Sequence, residues 1–230
     1  MFYNEYGGYC VPVSSLHRPA VQAIMHGKVY EPDTISYMIS KCGDMDIIHA
    51  GTFFGDFLPA LANAIDPNSL IFAYEPNHES WRCAKITLEL NEINNVKLMN
   101  AALGAQRGNA QLQTEGEMGV PLGGGSRVVG SHELVKSNLV NVVTIDETIP
   151  ENRRIGILQL DVEGYEAEAL SGALSTIRRC LPILILEVLP GTDVTQSAWF
   201  NANILALGYR YAFKLHGNSV YLCQADTKHS

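Results

Sequence analysis

Three carboxylates, Asp161, Glu163 and Glu166, fall within six positions directly after the apolar run "ILQL". A carboxylate can take a proton from a hydroxyl, hold an ammonium, or ligate a hard cation, and each task requires it to face a ligand. Glu187 repeats the arrangement at the end of "ILIL". Gly51 and Gly55 bracket "GTFFG", where the missing side chains let the backbone approach a ligand closely. Glu75, twenty positions beyond Gly55, ends another apolar run. At that spacing an acid accepts hydrogen bonds from both hydroxyls of a nucleoside ribose. The plainer alternatives are that the glycines only shape a turn and that Glu75 is a solvated strand end. Asp161 would then cap a helix whose first turn favours Glu163 and Glu166.

Strands and helices must alternate to position these residues. "PDTISYMISKCGD" predicts a helix with Asp33 as N-cap, Ile35, Met38, Ile39 and Cys42 on one face, and Gly43 at its end. "DIIHAG" and "SLIFAYEP" read as buried strands. Between them "GDFLPALANAI" reads as a helix that Pro59 either tolerates in its first turn or kinks. "HESWRCAKITLELNEI" predicts a helix capped by Asn77, and "VKLMNAAL" a third strand. Regularity fades from 104 to 140, where "GNAQLQTEG" could be an extra strand and "GVPLGGGSRVVGSHE" a long Gly-rich loop of functional character. Then come strands at "VNVVTI", "IGILQLD" and "PILILEV". A helix carrying Ala167, Leu170, Leu174 and Ile177 follows the second, and "SAWFNANILALG" the third. "YRYAFKL" and "SVYLCQA" form a closing hairpin. The sum is an α/β fold with a mostly parallel, doubly wound sheet whose last strand is antiparallel. Ligands bind such sheets at the carboxyl ends of their strands, so acids after "ILQL" point into a crevice.

Composition sets bounds. At 47% hydrophobic and 17% charged, the 230 residues suit one globular core. We expect a domain over residues 31–230, preceded by an extension or lid over residues 1–30. A net charge of −8 repels phosphate backbones, so no nucleic-acid partner is expected. "MFYNEYGGYC" lacks the basic and apolar regions of a signal peptide, and "LPILILEVLP" is too short to span a bilayer. Five scattered cysteines form no CxxC and the seven histidines no HExxH, which points to reduced thiols in the cytoplasm. Mg²⁺ on Asp161 and Glu187 would suit two carboxylates with waters. No DD pair or ligand-spaced cluster supports it, so no metal is called for. Oligomeric state is not encoded in any readable pattern.

Two adenosine ligands compete for the glycine turn and Glu75. A nicotinamide dinucleotide wants G-x-G-x-x-G, so that its pyrophosphate can lie against the helix start. Here phenylalanines fill the turn. S-adenosylmethionine, which carries no phosphate, tolerates them.

From "HGKVYEPDTI" to "ILILEV" the chain resembles the FkbM family of S-adenosylmethionine-dependent methyltransferases. "HAGTFFGDF" resembles the family's D-x-G-A-N-x-G turn, and "AYEPN" its E-P-x segment. "NAALG" and "VTIDE" also match, and "ILQLDVEGYEAEALSGA" is similar to its K-x-D-v-E-G-x-E segment. The resemblance implies a seven-stranded class I methyltransferase fold and O-methylation of a sugar or small-molecule hydroxyl. It implies that Gly51 and Gly55 flank the methionine moiety and that Glu75, followed by Pro76 and Asn77, holds the ribose. Asn100 and Ala101 would lie near adenine, and Glu31 would cover the methionine end. His49 stands where the family has Asp to bind the methionine ammonium, so either His49 acts through a water or another acid substitutes. Gln159 stands where the family often has Lys.

On this reading Asp161 contacts the ammonium or the acceptor hydroxyl and is the central catalytic residue, with Glu163 orienting the acceptor or acting as base. Ser126, Arg127, His132 and Glu187 would meet the acceptor, Arg127 suiting a carboxylate or phosphate on it. Two rivals remain: a nicotinamide-dependent oxidoreductase and a non-catalytic module that binds S-adenosylmethionine.

Overall fold

The computed structural model describes residues 1–116, 119–129, 137–189, 191 and 193–224. The chain begins with a hairpin, β1 (Phe2–Asn4) and β2 (Gly7–Tyr9), then α1 (Pro19–Met25) and α2 (Pro32–Cys42). Next come β3 (Asp46–Ala50), α3 (Leu58–Ala64), β4 (Ile71–Tyr74), α4 (His78–Leu90) and β5 (Val96–Met99). The middle holds β6 (Ala102–Leu103), β7 (Gly108–Gln113), β8 (Arg127–Val129), β9 (Ser137–Val143) and α5 (Ile145–Thr148). The rest is β10 (Ile155–Leu160), α6 (Glu166–Ser171), α7 (Leu174–Cys180), β11 (Ile183–Glu187), α8 (Ala198–Asn203), β12 (Tyr209–Leu215) and β13 (Asn218–Cys223).

Seven strands form the main sheet in the order β12-β13-β11-β10-β3-β4-β5. All neighbours from β11 to β5 are parallel, and β13 runs antiparallel to both β11 and β12. Strands β3, β4 and β10 are buried along their whole length, which is why they read as continuous apolar runs. Their side chains divide by alternation. Ile48, Ala50, Leu158 and Leu160 pack with α5 to α8 on one face, while Ile47 and Ile157 pack with α2 and α3 on the other. From β3 the chain winds outward through β4 to β5, then returns to place β10 on the other side of β3. The carboxyl ends of β3 and β10 therefore border the switch point where such sheets open a ligand crevice. Among the described residues no helix is long and apolar enough to cross a membrane.

Several expected boundaries move. Asp33 does not cap α2: Pro32, with φ already fixed, opens the helix, and Glu31 precedes it in the left-handed region at φ 48°. Pro59 sits in the first turn of α3, where its missing N–H costs nothing. "VKLMNAAL" divides between two sheets, β5 in the main one and β6 in a second sheet ordered β6-β9-β7-β8. Part of the supposed Gly-rich loop is thus strand β8. The helix expected after Asp161 breaks at Gly172, where a Cβ would come within 2.1 Å of the Gly104 carbonyl oxygen.

Residues 1–30 are tied to the sheet domain. Gly8 and Asn91 exchange hydrogen bonds, and the Cys10 N–H donates to Thr87 Oγ1. Val21 and Ile24 of α1 share a buried cluster with Phe53 and Phe54.

Candidate functional site

Gly51 follows β3 at φ 77°, and a Cβ there would fall 1.7 Å from the Asp161 carbonyl oxygen. Only glycine allows the ends of β3 and β10 to meet so closely, and the Asp161 N–H completes the contact by donating to the Ala50 carbonyl. Gly55 is needed for a different reason. Its φ of 79° is the left-handed conformation that favours glycine, and a Cβ would meet Leu58 Cδ1 at 3.2 Å and touch Ala84 of α4 at 3.4 Å.

Glu75 at the end of β4 is 5% exposed. Its Oε2 accepts from the Phe53 N–H and its Oε1 from the Asn77 N–H, both at 2.8 Å. These bonds fix the carboxyl plane and hold Phe53 at φ 51°. Burial pushes the carboxyl up to about 8, with the two N–H donors pulling the other way. Asn77 caps α4 as expected, accepting from the Glu79 and Ser80 N–H groups, and its amide also donates to Ser126 Oγ. Asn100 donates to the carbonyls of Glu75 and Pro76, so its amide braces the turn that carries the acid.

Two cavities flank this junction. The first, about 440 Å³, is lined by Gly51, Glu75, Pro76, Ala101, Ser126 and Tyr165 among others. The second, about 730 Å³, holds Glu31, His49, Asp56, Asp161, Glu163 and Glu187, with Arg18 as its one Lys or Arg among the described residues. Gly51, Gly124 and Asp161 border both.

The second cavity is dominated by negative charge. One carboxylate oxygen each from Asp161, Glu163 and Glu187 lies within 4.8 Å of the others. Burial, then the neighbouring Glu187, raises Asp161 well above the ordinary carboxylate range. The same two causes bring Glu163 to about 7. Asp56 also rises to about 7, through burial and then Glu31. Glu31 is raised by burial and accepts from Thr34 Oγ1 and Asn218 Nδ2.

His49 and Gln159, 110 residues apart in sequence, face each other in register across β3 and β10. His49 Nδ1 donates to Gln159 Oε1, leaving Nε2 as a buried acceptor without a protein partner. The ring stacks on Phe57 at 5.3 Å, and burial lowers its pKa to about 4, so it is neutral at physiological pH.

Glu166 behaves differently from its neighbours. Its Oε1 accepts from the Val162 and Gly164 N–H groups, so it shapes the 161–165 turn from the first turn of α6. Tyr165, not Asp161, occupies the N-cap of that helix, which leaves Asp161 to the cavities. Arg127 is exposed and donates to Gln113, away from both cavity walls, whereas Ser126 beside it lines the first. His132 lies outside the described residues. Sequence reasoning assigned nothing to Asp56 or Arg18. The "GDF" of the glycine turn was visible, but no periodic signal marks either residue.

The Methyltransferase FkbM domain model matches residues 49–211. Among solved structures, an FkbM methyltransferase from Methylobacillus flagellatus is 17% identical with a TM-score of 0.52. That alignment covers 78% of this chain but 44% of the other, so the present chain spans less than half of that relative. An S-adenosylmethionine-dependent methyltransferase from Aquifex aeolicus is 14% identical with a TM-score of 0.47, covering 90% and 94% of the two chains. A methyltransferase from Geobacter sulfurreducens is 15% identical with a TM-score of 0.47, covering 91% and 87%. A search of curated proteins gave no match. With residues 49–211 matched, most of its length, this chain belongs to the methyltransferase FkbM domain family.

Proposed function

We propose that the protein transfers a methyl group from S-adenosylmethionine to a hydroxyl oxygen of a sugar or other small-molecule metabolite, in the cytoplasm. The observation that carries this reading is the junction of two cavities at Gly51 and Asp161, one holding the pre-set Glu75 carboxyl and the other a set of acids. The family assignment leaves the nicotinamide alternative without support.

Glu75 would accept the ribose hydroxyls on the lone pairs that the Phe53 and Asn77 N–H groups leave open. Ala101 and Tyr165 would wall the adenine side, and Gly51 would let the methionine portion pass toward the second cavity. There Asp56 is the acid that substitutes for the family's aspartate at position 49, holding the ammonium together with Glu31. The sulfonium supplies an activated methyl group. Asp161 and Glu163 would orient the acceptor hydroxyl about 3 Å from the methyl carbon and take up its proton as the new C–O bond forms and the C–S bond breaks. Glu163, at about 7, is balanced for that exchange near neutral pH. Arg18, Pro19 and Ala20 line the second cavity, so residues 1–30 act as a lid that excludes water.

Calorimetric titration with S-adenosylhomocysteine tests the assignment. Glu75→Ala should weaken binding at least about tenfold, the loss of charge-assisted hydrogen bonds worth about 1.5 kcal/mol or more. Equal affinity in wild type and variant would refute the ribose site.

A further inference from the structure

Asp161, Glu163 and Glu187 come from the ends of two adjacent strands and the turn after one of them, yet each offers an oxygen to a common point. The surrounding wall adds Glu31 and Asp56, against the single guanidinium of Arg18. Glu187 Oε2 is buried without a hydrogen-bond donor. His49, only 3% exposed, lines the same cavity with an unpartnered acceptor at Nε2. The wall therefore carries acceptors in excess of donors and negative charge in excess of positive.

We propose that Asp161, Glu163 and Glu187 bind one hard divalent cation, with His49 Nε2 accepting a hydrogen bond from a water on the ion. The donor set is all carboxylate oxygen, the chemistry of Ca²⁺, Mn²⁺ and Mg²⁺, with no thiolate to favour a softer metal. Three oxygens that each touch a Ca²⁺ at about 2.4 Å can be spaced evenly at no more than about 4.2 Å, so a cluster held within 4.8 Å closes by at most about half an ångström around that ion. Mg²⁺, with bonds near 2.1 Å, asks for roughly twice that contraction. A metal-bound water is a strong donor, which is what a neutral imidazole with a bare Nε2 lacks among the protein groups. Cation binding does not depend on the methyl-transfer reading. If that reading holds, the ion would also polarise the acceptor hydroxyl.

The test uses the full chain freed of metal with EDTA, and Mn²⁺ followed by electron paramagnetic resonance as the probe. One Mn²⁺ per chain should be taken up and be displaced by Ca²⁺ more readily than by Mg²⁺. Glu187→Gln should weaken uptake more than about tenfold, because ligand charge sets affinity at such sites over decades. In EDTA the same variant should melt no lower than wild type, since the amide removes one of the crowded acids; this separates lost ligation from misfolding. Uptake that survives intact in both Glu187→Gln and Glu163→Gln would place the ion elsewhere and overturn the site. So would an absence of Mn²⁺ uptake, including the case where methylammonium alone raises the melting temperature, which would assign the cluster to an amine. Titration with S-adenosylhomocysteine in EDTA reads the cofactor site separately, so either idea can fail without the other.

Discussion

The acid of the first cavity and the acids of the second are prepared for their ligands in opposite ways. Glu75 has both oxygens anchored by backbone N–H groups, and its turn is braced by Asn100, so its geometry is settled by the fold. Asp161, Glu163 and Glu187 face one another, and their arrangement leaves charge that only protons or a bound cation can neutralise. A site made the first way costs little to occupy because the ordering is already complete. One made the second way stores repulsion that ligand binding relieves.

Breaking the junction should disturb both sides at once and give the largest effect. Gly51→Ala places a methyl group against the Asp161 carbonyl at a positive φ, and should destabilise the fold by about 3 kcal/mol or more in urea denaturation. A wild-type midpoint would mean that the β3 and β10 ends are free to separate. Asp161→Asn leaves the backbone junction in place and alters the acids of the second cavity. Turnover should fall about 100-fold, the lower range for losing a positioned base, while the melting temperature holds or rises. A variant as active as wild type would remove Asp161 from the chemistry. Asn77→Ala acts on the first side, removing the α4 cap and the link to Ser126. It should cost about 1 kcal/mol of stability, and no change would show that water replaces the cap equally well.

The smallest effect, a few degrees of melting temperature, should come from pH. Glu75, Asp56 and Glu163 are raised in the fold to about 8, 7 and 7. The folded state therefore binds more protons than the unfolded one below those values, and stability should fall as pH rises through 7 to 8. His49, lowered to about 4, works in the other sense and removes stability as pH falls below its ordinary 6.5. Between about pH 4.5 and 6.5 three acids act against one histidine, so the ligand-free protein should gain stability continuously from pH 8 down to about pH 5. A melting temperature that climbs steadily from pH 6 to 9 would contradict this account of the acids.

The sequence made some of this legible and hid the rest for physical reasons. Buried parallel strands read as apolar runs, so the ends that carry Gly51, Glu75, Asp161 and Glu187 could be located and their shared crevice inferred. Asn77 could be found because a cap needs only local spacing. The second sheet was harder. "GNAQLQ" and "SNLVNVV" mix polar and apolar residues, and their pairing is decided by contacts far apart in the chain. Asp56 and Arg18 escaped notice because one sits inside a tight turn and the other in an aperiodic leader, and only packing brings them to the same wall. The facing of His49 and Gln159 depends on the register between β3 and β10, which neither strand encodes alone.

That pairing limits how the site can change over time. His49 and Gln159 are two neutral groups joined by one hydrogen bond inside the sheet. Exchanging one member alone for a charged residue would leave an ion in the sheet interior beside an uncharged amide or imidazole, the most damaging kind of half-replacement. A charge can enter this pair cheaply only together with its counter-charge, so the two positions constrain each other.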